Sequence, residues 1–318
     1  MPALVPSPTA ATRPSASAPA HWAAVVLRQN GPAPGRLGPH RRLALQALTL
    51  GWVCTWAPGL TAAPAAVRLT LLDGEAQVLQ GSQWTGTVQG QALPPGSVLH
   101  TGPRTGLLRL EWPDQTALDL GPDARVMLLP AGFRARQGKA PLAYVLRGWV
   151  KLSGGPQGTA GGVLTPRLEV LPLAAAGGAV VLQVQPAAVQ VFAENSATEV
   201  VLRPSGASHG LAAGAWFDAE PPALPRPAGA WMAQVPRAFR DPIPRRAAAF
   251  DGQKIAGTPL PPPGYAVLAD WLTLAEPELR RQWPTRLAPW LQDPTFRRAV
   301  QAGLQRHPEW APVLNPPR

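Results

Sequence analysis

Between residues 67 and 152 short apolar-patterned segments are interrupted by turn residues about every ten positions, and this spacing leaves few architectures open. Val98 and His100, then Leu108, Leu110 and Trp112, then Leu118 and Leu120 fall on alternate positions, so each segment can offer one apolar face to a core. The gaps hold Pro95-Gly96, Gly102-Pro103, Pro113-Asp114 and Gly121-Pro122. Glycine supplies positive φ and proline fixes φ near −65°, so each pair turns the chain for a physical reason. Several short strands at this spacing predict a mainly β chain, a sandwich or roll.

The flanks divide the rest of the chain. Residues 163–217 resume the alternation in Val180-Val181-Leu182-Gln183-Val184, Val189-Gln190-Val191-Phe192 and Glu199-Val200-Val201-Leu202, and are expected to extend the same β unit. Residues 218–264 are Pro-rich and read as a semi-rigid linker. Residues 265–318 change to helical period: Leu279, Trp283, Leu287 and Leu291 are four apart, while Pro284 and Pro289 must kink or split that helix. Asp293-Pro294 marks a second helix start, with Phe296, Val300 and Leu304 as its apolar face.

The segments Gly74 to Gly81, Leu93 to Gly106, Leu107 to Leu110, Pro113 to Pro122 and Leu146-Arg147-Gly148-Trp149-Val150-Lys151-Leu152 resemble the FecR domain, the envelope-side sensory domain of iron-dicitrate-type regulators. Residues 67–152 carry this FecR-like β domain, about a quarter of the chain. Two departures are mild: Gln115 stands where the family has Gly in an Asp-Gly turn, and Thr105 where it has Ser or a similar residue. After Thr165-Pro166 the chain has Leu168-Glu169-Val170 instead of a Val-Arg-Gly-Thr-type strand, so nothing can be carried over for that strand. The resemblance implies a β-sandwich or β-roll that senses a ligand or protein through strand and loop surfaces. Tails with Asp-Pro-x-Phe-Arg and His-Pro-Glu-Trp, here Asp293 to Arg297 and His307 to Trp310, accompany such domains in some exported bacterial proteins.

Residues 1–63 contain five Arg and no acid. His40-Arg41-Arg42 precedes an apolar stretch at 43–60 and the small-residue run Thr61-Ala62-Ala63-Pro64-Ala65-Ala66, the layout of a secretory signal with cleavage near Ala63 or Ala66. A retained inner-membrane anchor is the rival, since a spanning helix needs roughly 17–25 residues, but Gln46, Gly51, Pro58 and Gly59 weaken it. The residues before the apolar stretch are too rich in Pro, Ala, Ser and Gly to bury a core, so the cytoplasmic sigma-binding domain implied by the regulators is not expected there. They are also long for the n-region of a signal, which leaves a downstream translation start open. Export to the periplasm is the expectation.

The formal charge is +11, of which the five leader Arg account for nearly half, leaving +6 by subtraction. The basic residues are scattered and not striped with aromatics, so no nucleic-acid partner is expected. Cys54, the single cysteine, lies in the leader, which excludes a disulfide or thiolate site from the exported part; Val53 before it does not fit a lipobox. Membrane contact is expected only through an uncleaved leader.

No cofactor, metal site or catalytic residue is expected. His100, His209 and His307 lie far apart, and Pro308 separates His307 from Glu309. Ser205, Ser208, His209 and Asp218 hold the letters of a triad without a nucleophile elbow. Asp114 and Asp119 read as turn and strand residues on opposite faces. Nine of the twelve Trp follow the leader, most at core-facing spacing. Trp84, in a Gly/Thr/Gln-rich stretch, and Arg104 are the expected partner contacts. The expected function is an exported, non-enzymatic FecR-domain protein, a binding, sensory or scaffolding module for an envelope protein or cell-wall polymer. A membrane-anchored transmembrane signalling regulator and a cell-envelope glycan-binding protein are the alternatives.

Overall fold

The computed structural model of the chain describes residues 66–134, 139–203, 205–218 and 220–315. The leader at 1–63, with the apolar stretch 43–60 and Cys54, lies outside them. Among the described residues no helix is long and apolar enough to cross a membrane.

The chain is mainly β, and among the described residues the helices begin at Gly229. The first nine strands are β1 (Val67–Asp73), β2 (Ala76–Gln80), β3 (Gln83–Gly86), β4 (Ala92–Leu93), β5 (Val98–Thr101), β6 (Leu107–Glu111), β7 (Ala117–Leu120), β8 (Arg125–Leu128) and β9 (Ala143–Ser153). They are followed by β10 (Val163–Leu164), β11 (Leu168–Val170), β12 (Ala179–Val184), β13 (Val189–Ala193), β14 (Thr198–Leu202), β15 (Ser208–Leu211), β16 (Trp216–Asp218), β17 (Glu220–Leu224) and β18 (Thr258–Pro259).

Two sheets share β9. Sheet A runs β4-β1-β6-β7-β9-β12-β13-β16-β17. Sheet B runs β18-β3-β2-β5-β8-β9-β10-β11-β14-β15, antiparallel throughout except for β9 with β10. Residues 143–147 of β9 pair with β8 in sheet B, and from Gly148 onward the strand pairs with β12 in sheet A. Gly148 makes that transfer at φ +102°, where a Cβ would sit 2.4 Å from Ala124 Cα; only glycine fits both the conformation and the space.

Alternation places Leu108, Leu110, Leu118, Leu120, Val150, Leu152, Val180 and Leu182 of sheet A against Val78, Leu99, Val126, Val145 and Val163 of sheet B in one buried core. The opposite faces are covered as well, so β5, β6, β7 and β12 are buried on both sides. This departs from the single apolar face read from the alternation.

The segment expected to act as a spacer, 218–264, joins both sheets: β17 edges sheet A, residues 229–257 lie along its outer face, and β18 edges sheet B. After β17 come α1 (Gly229–Gln234) and 3-10 turns at Arg237–Arg240 and Ala247–Phe250. Trp231, Val235 and Phe239 bury against Leu107, Trp149, Val181 and Trp216. A spacer would stay in water, but these apolar residues give the Pro-rich backbone a surface to bury, and the sheet supplies partners for its polar groups.

The tail covers sheet B with α2 (Tyr265–Leu272), α3 (Pro277–Arg280), α4 (Trp283–Leu287), α5 (Pro294–Gly303) and α6 (Ala311–Leu314). Leu279, Trp283, Leu287 and Leu291 do face one core, but Pro284 and Pro289 divide them among α3, α4 and a 3-10 turn at Ala288–Gln292. Asp293 caps α5 by accepting the Thr295 amide at 2.8 Å, and Phe296, Val300 and Leu304 are buried.

Candidate interaction surfaces

The polar groups on the outer face of sheet A hold the strap formed by residues 229–257. Arg109 on β6 and Asp119 opposite it on β7 make a two-armed ion pair at 2.6 and 2.8 Å, with side chains only 4% and 2% exposed. The remaining Arg109 arm donates to Ile243 O at 2.7 Å. Glu111 accepts Thr70 Oγ1 at 2.8 Å and, with its other oxygen, the Arg246 and Ala247 amides at 2.8 Å each. Lys151 Nζ donates to Phe239 O at 2.6 Å and pairs with Glu194. Beside Trp112 a cleft of about 550 Å³ is lined by Arg68, Arg245 and Asp251. Its cations serve the strap too: Arg245 donates to Gln115 O, Ser153 O and Gly154 O, and Arg68 to Gly90 O and Gln253 O.

On the outer face of sheet B the partners are mostly aromatic. His100 on β5 is 8% exposed, and its Nε2 accepts the Trp271 indole N–H of α2 at 2.8 Å. Burial first, then the Arg125 and Arg147 charges, push the imidazole down to about 3. Those residues form a row across neighbouring strands, His100 opposite Arg125 and Arg125 opposite Arg147. Asp270 of α2 pairs with Arg125 at 3.0 Å. Tyr144 of β9 donates to Glu276 Oε2 at 2.9 Å, and Arg203 pairs with the other Glu276 oxygen. Burial, followed by the Glu276 charge, raises the Tyr144 phenol above its ordinary range. Arg286 of α4 inserts between strand ends, donating to Leu79 O at 2.6 Å, Gly81 O at 2.5 Å and Gly96 O at 2.8 Å, and lies over the Trp283 ring. Burial lowers its guanidinium to about 10.

Trp84 is not the exposed contact that the sequence suggests. It is 5% exposed beneath the tail, its ring edge-on to His100 at 5.3 Å, because β3 carries it on the face that the helices cover. Arg104 is exposed in the turn between β5 and β6. The two therefore occupy different surfaces. Asp119 is committed to Arg109, and Asp114 accepts the amide and hydroxyl of Thr116. Ser208 Oγ bonds Glu199 Oε1, while the His209 ring packs beside Phe217. His307 Nδ1 lies 3.5 Å from Glu309 Oε1, which Arg280 binds at 2.8 Å. Among the described residues no group of three or more His, Cys, Asp or Glu could hold a metal ion.

The sheet edges differ. β4 and β18 have two residues each, β18 ending in proline, and β17 contains Pro221 and Pro222, which lack a backbone donor. β15, Ser208-His209-Gly210-Leu211, has no proline and pairs with β14; no second strand partner is present among the described residues. In the sequence these residues lie within 163–217, expected to extend the β unit, and Ser208 and His209 stand out only as triad letters; the edge is not legible because strand order is not visible in a linear pattern.

No family model matches the chain, and no curated protein matches it. Two crystal structures described as a "putative anti-sigma factor" from Parabacteroides distasonis ATCC 8503, at 2.50 and 1.65 Å resolution, are similar to it at 13% and 12% identity, with TM-scores of 0.30 and 0.29. The matches cover 38% and 37% of this chain and 53% and 52% of theirs, so it spans about half their length.

Proposed function

We propose that this chain is an exported, non-enzymatic FecR-type binding and scaffolding module that captures an extended segment of an envelope protein along β15. One observation supports this most: β15 is a proline-free edge four residues long, while the other three edges are cut short or carry proline. An edge strand presents unpaired amides and carbonyls to any extended chain, so main-chain bonding gives affinity and the flanking side chains give selectivity. Half-buried His209 and exposed Gly210 place little bulk in the way. The leader layout supports export, and the turn motifs support the FecR assignment.

Crosslinking in intact cells, with a photoreactive group at the exposed Ser208 position of β15, tests the reading. Successive residues of a strand turn their N–H groups to opposite sides, so of His209→Pro and Gly210→Pro one removes an outward donor while leaving the β14 pairing intact. That variant is expected to lose the crosslinked partner with an unchanged melting temperature. Equal capture by both folded variants, or no envelope partner in repeated experiments, counts against strand addition. N-terminal sequencing of the protein from fractionated cells tests export; residues before Ala63 retained in the membrane fraction favour the anchored regulator.

A further inference from the structure

We propose that the helical tail is a proton-gated cover: protonation of His100 at Nε2 breaks its bond to Trp271 and releases the tail from the outer face of sheet B. This inference is independent of capture at β15. Its basis is the role of the atom involved. Nε2 accepts the indole N–H, so the neutral ring carries its proton on Nδ1, and a second proton at Nε2 sets two donors against each other. The new charge has no room to be hydrated, since His100 is covered by Trp84 from β3 and Trp271 from α2, and Tyr144 lies beyond Trp271.

The charged neighbours oppose it as well. Arg125 of β8 stands directly across the strand pair and Arg147 of β9 comes next in the row. On the tail side, Asp270 is the carboxylate beside this row and is already paired with Arg125. Glu276 is engaged by Tyr144 and Arg203. The tail is joined to this face mainly through side chains, so losing the Trp271 contact at α2 loosens the first helix of the cover. Release exposes Leu79, Val98, Met127 and Leu164, all buried beneath it.

The pH direction follows from the two states of the ring. In the docked state its pKa is lowered from 6.5 to about 3; with the tail released, water reaches the ring and the value moves back toward 6.5. Docking is thus at full strength above 6.5 and weakens as pH falls from there toward 3, by up to tenfold per pH unit. At pH 5 the docking equilibrium falls by up to about 30-fold.

Hydrogen exchange on the full chain reads this directly. Protection factors across 265–315 are expected to fall by up to about 30-fold between pH 7.5 and pH 5, while those of β12 and β13 hold. His100→Gln keeps a carbonyl that can accept from Trp271 and cannot titrate, so its tail is expected to change by less than about threefold over the same range. Unchanged protection in the parent protein, or equal acid opening in parent and variant, overturns the proposal. An NMR titration of His100 in the parent protein gives a second decision that needs no variant: a ring that titrates near 6.5 while the tail stays protected overturns it too.

Discussion

Each sheet has an outer face covered by chain from the second half of the molecule, yet the strap and the tail are held by different chemistry. The strap is irregular, so many of its backbone amides and carbonyls lack partners within it, and sheet A meets them with charges: buried Arg109 and half-buried Lys151 for carbonyls, buried Glu111 for amides. The tail is helical and satisfies most of its own backbone, so sheet B meets it with rings, Trp84, His100 and Tyr144, packed toward a tail whose Trp271, Trp283 and Trp310 are fully buried. The secondary structure of the covering segment thus decides whether the covered strand face is ionic or aromatic.

Substitutions can break this comparison at either end. The largest effect is expected from Arg109→Met, which leaves Asp119 buried without its counter-ion and Ile243 O without its donor, at a cost of about 4 kcal/mol. Denaturant unfolding measures the loss, and exchange across 229–257 should rise before exchange across the tail. Arg109→Met combined with Asp119→Leu should recover most of it, because the cost lies in the stranded charge. Arg286→Met, next in size at about 3 kcal/mol, removes three charge-assisted bonds to carbonyls and should loosen the tail alone. Equal loosening of strap and tail in either variant would show that the covers act as one unit. Glu111→Gln keeps the shape but weakens acceptance of the Arg246 and Ala247 amides, with an expected cost of about 1–2 kcal/mol confined to the strap. Gln115→Gly should be the smallest and of opposite sign. Gln115 sits at φ +67°, a conformation costing a side-chain-bearing residue about 1–2 kcal/mol, so glycine should raise stability by about 0.5 kcal/mol after its own chain entropy, with neither cover disturbed.

Gln115 also shows what could be read from the chain alone. The turn Pro113-Asp114-Gln115-Thr116 was placed by residue type, and the one position where it departs from an Asp-Gly turn is the one whose backbone is left-handed. Proline breaks in the tail and the Asp293 cap were legible for the same reason: each depends on neighbours within a few positions. The covered faces were not. Arg109, Glu111, Asp119 and Lys151 alternate with apolar residues as any solvated strand face does, and only contacts more than eighty positions away, such as Arg109 with Ile243 and Lys151 with Phe239, bury them. Trp84 was misplaced likewise, because its polar surroundings in sequence are replaced in the fold by the tail. The signal that could have been used was Trp231, Val235 and Phe239 in a segment otherwise suited to water.

Local pattern accounts for many of the strands between 67 and 217, the turns between them and the division of the tail into short helices, since dihedral preference and alternation are local properties; it does not say which face of β5 turns inward, where Leu99 and not Val98 or His100 enters the core between the sheets. The passage of β9 between two sheets at Gly148, the covering of both outer faces, and the lack of a second strand partner for β15 among the described residues come from the assembled fold. Those outcomes depend on strand order and on which distant segment comes to lie over which face, and neither has a period that a linear pattern can carry.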